Sequence, residues 1–375
     1  MSKLNISRLT NENEDGSPYI SGISTFSSTA FLVPPSGTTA QRPDFVQPGM
    51  IRFNTDGAHL EYYNGVEWTE VLVANNTLDG GNRGVFGGGY VPGGGGDQSR
   101  IDYVTVSSLG NAITFGNLSA SRRGLSACGS ATRGLFMGAA GASSQRIDFI
   151  TYSSTGDATT FGTLSTNKEG NGALSSSTRA ISFGGDNVGS GTNVIEYMTI
   201  ASTSNGIDFG DLLSSQTTFT GGVSSSTRGV IGGGNTYPSE PQTNVIQYIT
   251  ISTLGNAVVF GDLTTAKGSG TATSNSTRGI FIGGISGPSN TNTIEYVTIA
   301  STGNAQDFGD LNNATRSFAA CSSPTRALYG GGIAPTTTNT IEYITILSAG
   351  NATDFGDLTI ARFSMGACSN GHGGL

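Results

Sequence analysis

The chain is expected to be all-β, a six-bladed β-propeller closed by its C-terminal strand, on three observations. An arginine followed by a short apolar run and glycines recurs at near-equal intervals, at Arg83, Arg133, Arg179, Arg228, Arg278 and Arg326. A period of roughly 50 residues marks a repeat architecture. Each unit holds four strand-like runs separated by turn residues, the content of one propeller blade. No segment shows a helical period with caps.

Composition supports ordered strands over disorder. The 375 residues include 58 glycines, and 12% are charged and 35% hydrophobic. The Ile, Val, Tyr and Phe runs return at fixed offsets, which disordered segments lack. The net charge is −8 with an isoelectric point near 4.7, and no Lys/Arg cluster is present. A nucleic-acid partner is therefore not expected. No apolar run approaches the roughly 20 residues of a membrane span, so membrane insertion is not expected. The N-terminus lacks the apolar core of a signal peptide. Three cysteines, which cannot all pair, fit synthesis in a reducing cytoplasm.

The second unit shows the four strands in order. They are Gly124–Cys128, Gly134–Gly138, Arg146–Tyr152 and Ala158–Leu164. The third run alternates and has counterparts at Val194–Ile200, Val245–Ile251, Thr293–Ile299 and Thr340–Ile346. Its β-branched residues suit a sheet packed between others. The first unit starts at Asn82 and lacks the strand that precedes the arginine elsewhere. A spare strand stands at Phe363–Asn370. Pairing the two completes a sixth blade and removes open edges.

The unit resembles a kelch motif. Paired glycines end its apolar strand at Gly87-Gly88, Gly184-Gly185, Gly232-Gly233, Gly283-Gly284 and Gly330-Gly331, with Gly138-Ala139 in the second unit. An Ile-Glu-Tyr strand follows, then an outer aromatic. That aromatic is usually Trp in kelch units and is Phe here: Phe115, Phe161, Phe209, Phe260, Phe308 and Phe355. The resemblance covers roughly residues 82–375 and implies a kelch-like propeller of divergent lineage.

Most local signals are absorbed by the repeat. Asp208-Phe-Gly, Asp307-Phe-Gly and Asp354-Phe-Gly spell the kinase metal-binding triplet, but they return with the blade, where Phe packs and Gly-Asp opens a turn. The run Gly87–Gly96 precedes a strand and lacks the lysine of a phosphate loop. It is expected to be a loose loop, and its Tyr90, Val91 and Pro92 are the candidate binding loop. The six repeated arginines and the third-strand acids Asp102, Asp148, Glu196, Glu295 and Glu342 (Gln247 in the fourth unit) are read as structural ion pairs, with a ligand-binding polar ring as the alternative. Cys128, Cys321 and Cys368 share a position with Leu174, Val223 and Thr273. They are read as small core residues rather than a metal site. His59 and His372 are the two histidines, and no Ser-His-Asp or Cys-His set converges. No cofactor or enzymatic activity is expected.

The N-terminal segment is not a blade. Residues 1–47 read as an extended arm, 48–74 as a small three-strand meander and 75–81 as a linker before the propeller at 82–375. The meander strands are Gly49–Asn54, His59–Tyr63 and Glu67–Leu72, with Asp56-Gly57 and Asn64-Gly65 as turns. A sheet this small is marginal alone and needs a partner. Its Ile51, Phe53, Tyr62, Tyr63 and Trp68 are the candidate attachment residues. Pro34–Pro43, Gly49–Asp56 and Leu60–Trp68 resemble a segment common in tailed-phage fibre and appendage proteins. The Lys-poor repeats look like those of phages of aquatic bacteria, including cyanophages. The resemblance implies a virion structural protein, made in the host bacterial cytoplasm. Its N-terminal region would join other virion proteins as a homo-oligomer, a trimer being favoured, and its propeller would meet a host-surface glycan or protein. Two alternatives remain open, a decoration or adaptor protein without host contact and a polysaccharide-degrading enzyme on a propeller scaffold.

Overall fold

The computed structural model describes residues 34–57, 59–71, 82–141, 144–218, 221–239 and 241–375. The arm before Pro34 and the linker at 75–81 lie outside these. The chain divides into two compact units, 1–74 and 75–375.

The larger unit is all-β, a succession of antiparallel sheets compatible with a β-propeller. Sheets 2 to 6 begin with the inner strands Ser126–Gly129, Gly172–Ser175, Gly221–Ser224, Thr271–Ser274 and Ala319–Ser322. Each then adds a second strand opened by the repeated arginine, a third strand and an outer strand. In sheet 3 the outer strand Ile207–Thr218 also pairs with Asn235–Thr236. Sheet 1 draws on both ends of the unit. Its inner strand is Gly366–Ser369, paired antiparallel with Arg83–Gly87, and Arg100–Thr105 and Ile113–Asn117 complete it. Inner strands of successive sheets pack side by side, and that of sheet 1 lies against those of sheets 2 and 6.

The third strands are buried on both faces, as their β-branched content requires. Ile101, Ile147, Ile195, Ile246, Ile294 and Ile341 are completely buried. The outer Phe of every sheet is also buried. Each such residue contributes about 1.5–3 kcal/mol of burial free energy. The clusters span neighbouring sheets: Ile101, Phe115 and Leu118 of sheet 1 pack with Phe136, Ile150 and Tyr152 of sheet 2. The Phe of the kinase-like triplets, Phe209, Phe308 and Phe355, is core in the same way. Cys128, Cys321 and Cys368 are buried in these clusters, and burial pushes the Cys128 and Cys368 thiols up to about 12.

In all six sheets the register between third and outer strands slips at the same place, directly before Asp102, Asp148, Glu196, Gln247, Glu295 or Glu342. The extra residue of this bulge stands on the outer strand and is left out of the ladder: Phe115, Phe161, Phe209, Phe260, Phe308 or Phe355. It is the buried Phe of that strand, while the pairing of second and third strands runs past the polar residue without a shift.

The smaller unit is a four-stranded sheet. The expected meander is present as Ile51–Asn54, His59–Tyr63 and Trp68–Glu70, and Ser36–Gly37 adds in parallel to Ile51–Asn54. Part of the segment read as an arm thus belongs to this sheet.

Candidate functional site

Residues that recur in every sheet serve the frame, and their contacts correct the expected ion pairs. Arg83, Arg133, Arg179, Arg228, Arg278 and Arg326 do not take the third-strand acids. Each guanidinium lies 4.3–4.9 Å from the centroid of an aromatic ring on its own third strand, Phe149 for Arg133 and a tyrosine elsewhere. Each also donates to a carbonyl at the end of the third strand of the next sheet: Arg83 to Tyr152, Arg133 to Ile200, Arg179 to Ile251, Arg228 to Ile299 and Arg278 to Ile346. Arg326 of sheet 6 donates to Val106 of sheet 1. The ring under the arginine meets the outer Phe edge-on, as Tyr296 does Phe308 at 6.1 Å. The reason is register. Arg133 pairs with Thr151, whereas Asp148 pairs with Phe136, so the two charges sit at opposite ends of the strand pair.

The acids hold the crossing connection instead. Asp148 pairs with Arg122 at 3.1 Å, Glu196 with Lys168 at 3.4 Å, Glu295 with Lys267 at 2.9 Å and Asp102 with Arg362 at 2.9 Å. All eight side chains are buried. Each cation, the latch of its connection, stands four residues after a buried leucine: Leu118, Leu164, Leu263 or Leu358. The residue after that leucine also donates to the acid, as Ser119, Ser165, Thr264 and Thr359 do. Burial lowers the Arg122 and Arg362 guanidinium pKa to about 10, with the facing carboxylate opposing the shift. In sheet 4 both positions hold a neutral amide: Gln216 at the cation position, and at the acid position Gln247, which accepts from the Leu213 amide at 2.9 Å. In sheet 6 Thr315 takes the cation position, and Glu342 is held by Asn312 at 2.9 Å and the Tyr329 hydroxyl at 2.9 Å.

At one end of the inner strands, serines link the sheets. The hydroxyls of Ser175, Ser224, Ser274, Ser322 and Ser369 donate to the carbonyls of Gly129, Ser175, Ser224, Ser274 and Ser322 at 2.5–2.9 Å. Sheet 2 has Gly129 where the others have serine, and the C-terminal tail docks there. His372 Nε2 lies 2.7 Å from the Gly129 carbonyl, and His372 Nδ1 accepts from the Gly374 amide at 3.1 Å. Gly374 passes so close that a Cβ would sit 1.8 Å from the Ser175 carbonyl. The two contacts specify a neutral imidazole protonated on Nε2, and burial pushes its pKa down from 6.5 to about 4. Below pH 6.5 the unfolded chain binds a proton that the folded chain refuses. Stability from this group is therefore complete above pH 6.5 and falls as pH drops toward 4, by up to about 3 kcal/mol. Urea midpoints at pH 7 and 5, compared between wild type and His372→Gln, are expected to converge at the lower pH.

At the other end, a cavity of about 220 Å³ opens between the inner strands. Its walls are small residues, among them Ala127, Ala173, Gly222, Ala272, Ala320 and Ala367. In five of the connections one residue stands directly after the latch position and before a residue that lines this cavity. It is Phe363 before sheet 1, Arg123 before sheet 2, Glu169 before sheet 3, Gly268 before sheet 5 and Arg316 before sheet 6. The backbone treats these positions alike. The residue that follows has φ between 53° and 67° at Gly124, Gly170, Ser269, Ser317 and Ser364. Each of the five also bonds to the loop after the second strand of the sheet it leads into, such as Phe363 with Tyr90, Glu169 with Asp186 and Arg316 with Ile333. The frame repeats while the presented side chain changes.

The expected loose loop at Gly87–Gly96 is instead a short hairpin. Tyr90–Val91 pairs with Gly96–Asp97 around Pro92–Gly95. The Tyr90 and Phe363 rings are 5.4 Å apart, and the Arg123 guanidinium lies 4.9 Å from the Tyr90 centroid. Val91 lies beside Tyr90, half-buried, and Pro92 is exposed at the turn. Sequence reading found Tyr90 but not Arg123, Phe363, Glu169, Asp97 or Asp186. The available signal was a single position that varies inside an otherwise repeated frame.

The candidate attachment residues divide between two faces of the small sheet. Ile51, Phe53 and Tyr62 are 53%, 37% and 38% exposed on one face. Arg52, Asn54 and Glu61 are buried on the other. Glu61 accepts from Arg42 at 2.6 Å, Arg52 at 3.1 Å and Asn54 at 3.2 Å. The hydrogen bond from Arg42 holds its carboxyl below the usual value, against the cost of burial. Tyr63 and Trp68 share this polar face, their ring centroids 5.7 Å apart, with Arg52 5.9 Å from the Trp68 ring.

No family model and no curated protein matches this chain. The fold and contacts themselves define an all-β repeat protein whose repeated polar residues join neighbouring sheets.

Proposed function

We propose that the six sheets close into one six-bladed, kelch-like propeller, and that the chain is a structural protein of a tailed-phage virion, in a tail fibre or similar appendage. Closure is supported by sheet 1, which takes strands from both ends of the unit, and by its packing between sheets 2 and 6. The virion reading is supported by the resemblance of Pro34–Trp68 to fibre segments. The N-terminal region attaches to other virion proteins and trimerises, and the propeller is the displayed head that meets the host surface.

One observation carries the attachment role. The small sheet buries its charged face and exposes its apolar one, the reverse of what water selects for a sheet working alone. A second and third copy covering Ile51, Phe53 and Tyr62 resolves this inversion. Sedimentation of the full chain is expected to give a trimer, and Ile51→Asp with Phe53→Asp a monomer whose larger unit melts unchanged. A monomeric wild type at micromolar concentration would overturn the assignment.

A further inference from the structure

We propose that the arc of the mouth formed by Tyr90, Phe363, Arg123, Asp97, Glu169 and Asp186 binds a neutral sugar residue. This rests on the reading of the larger unit as a displayed binding head and names the ligand class.

The first support is placement. In five connections the latch residue and the left-handed residue after it are frame, and the residue between them is free to vary. Left-handed φ costs a serine on the order of 1 kcal/mol, yet Ser269, Ser317 and Ser364 adopt it. Amide-to-carbonyl bonds of 2.8 Å from Ser317 to Ser269, Ser364 to Ser317, Gly124 to Ser364 and Gly170 to Gly124 hold it in place. The variable residue is thereby presented at the same point of each sheet.

The second support is chemistry. Sheets 1 to 3 contribute an aromatic pair, a guanidinium and three carboxylates along a continuous arc. Arg123 and Asp97 pair at 3.0 Å with their side chains 39% and 33% exposed, so each keeps capacity for a ligand. Glu169 lies over Gly124, where its Cγ is 2.9 Å from the position of a Cβ, and its carboxyl takes no hydrogen bond from the described residues. Burial raises its pKa, Arg123 opposes this, and Asp186 and Asp97 add to it. A pyranose offers an apolar C–H face to an aromatic ring, and hydroxyls that donate to carboxylates and accept from a guanidinium. Three carboxylates to one guanidinium repel an anionic sugar. The cavity behind the arc is lined by small and apolar residues, uncharged polar groups and the His372 imidazole, so a substituent entering it meets no Asp, Glu, Lys or Arg.

The test uses the full chain against a printed panel of neutral and uronic-acid oligosaccharides, followed by calorimetry with the strongest neutral one. Binding confined to the neutral group is expected. Tyr90→Ala and Glu169→Gln are each expected to weaken it at least tenfold while the melting temperature stays within a few degrees. Ile333→Ala, elsewhere on the mouth, is expected to leave it within twofold. No binding to any neutral oligosaccharide at millimolar concentration, a preference for uronic acids, or binding indifferent to both substitutions would overturn the proposal. The two readings separate in this design. A trimer that binds no sugar refutes the site and leaves the appendage role, whereas a sugar-binding monomer does the reverse.

Discussion

Deletion of residues 363–375 is expected to abolish cooperative folding of the larger unit. The deleted segment supplies the inner strand of sheet 1, and with it Met365, Ala367 and Cys368, all buried. Met365 and Ala367 belong to the cluster shared with sheet 6, and Cys368 to the one shared with sheet 2. Their loss strips both sides of sheet 1 at once. It also frees the edge of Arg83–Gly87, leaves the Arg83 amide without Asn370, and opens the Gly129 gap that His372 fills. The summed loss is on the order of 5–10 kcal/mol, comparable to the whole stability of a typical domain. Arg362 is retained, so the latch to Asp102 is not the cause. Calorimetry of the truncated chain should show no cooperative transition for this unit. A melting temperature equal to that of the full chain would refute the closed-ring reading.

Substituting Gln247→Glu is expected to cost about 3–5 kcal/mol, because it buries a carboxylate with no facing cation. Adding Gln216→Lys should return most of that loss, leaving the double variant within about 1 kcal/mol of wild type. The expectation comes from the other sheets. Where the cation position holds Arg122, Lys168, Lys267 or Arg362, the acid position is charged, and where it holds Gln216, the acid position is an amide. Sheet 6 sharpens the rule. Glu342 remains without a cation because Asn312 and the Tyr329 hydroxyl donate to it, and burial beside this carboxylate raises the Tyr329 phenol. Gln247 has no such tyrosine, since Ile231 stands opposite it. Urea midpoints of the two single variants and the double one measure the coupling. Additive effects would show that the latch positions of sheet 4 do not face each other.

The strands were legible because their information is local. Four runs per period, Gly at the turns and an outer Phe with a fixed offset place each strand close to its observed bounds. Sheet 1 was legible by counting, since one unit lacked a strand that the other end had spare. The ion pairs were not. Acid and arginine recur with the same period, so phase alone pairs them, but antiparallel register places them at opposite ends of their strands. The true partners lie on the connection between sheets, 26 to 28 residues before the acid in sheets 2, 3 and 5 and 260 residues after it in sheet 1. The match of Gln216 with Gln247 was present in the sequence, yet it becomes meaningful once the acids of sheets 1, 2, 3 and 5 are seen to pair with cations on that connection.

The binding arc divides in the same way. Tyr90 stood out because it interrupts a glycine run. Phe363, Arg123 and Glu169 did not, because they belong to different units or lie at the far end of the chain. By itself the sequence determined the repeat, the strand content and the contribution of both chain ends to one sheet, since these follow from side-chain periodicity and turn chemistry within one unit. Only the tertiary structure decided which charges meet, where the tail docks and which side chains share the mouth, because those contacts join different units, and a repeated sequence is blind to what distinguishes one neighbour from the next.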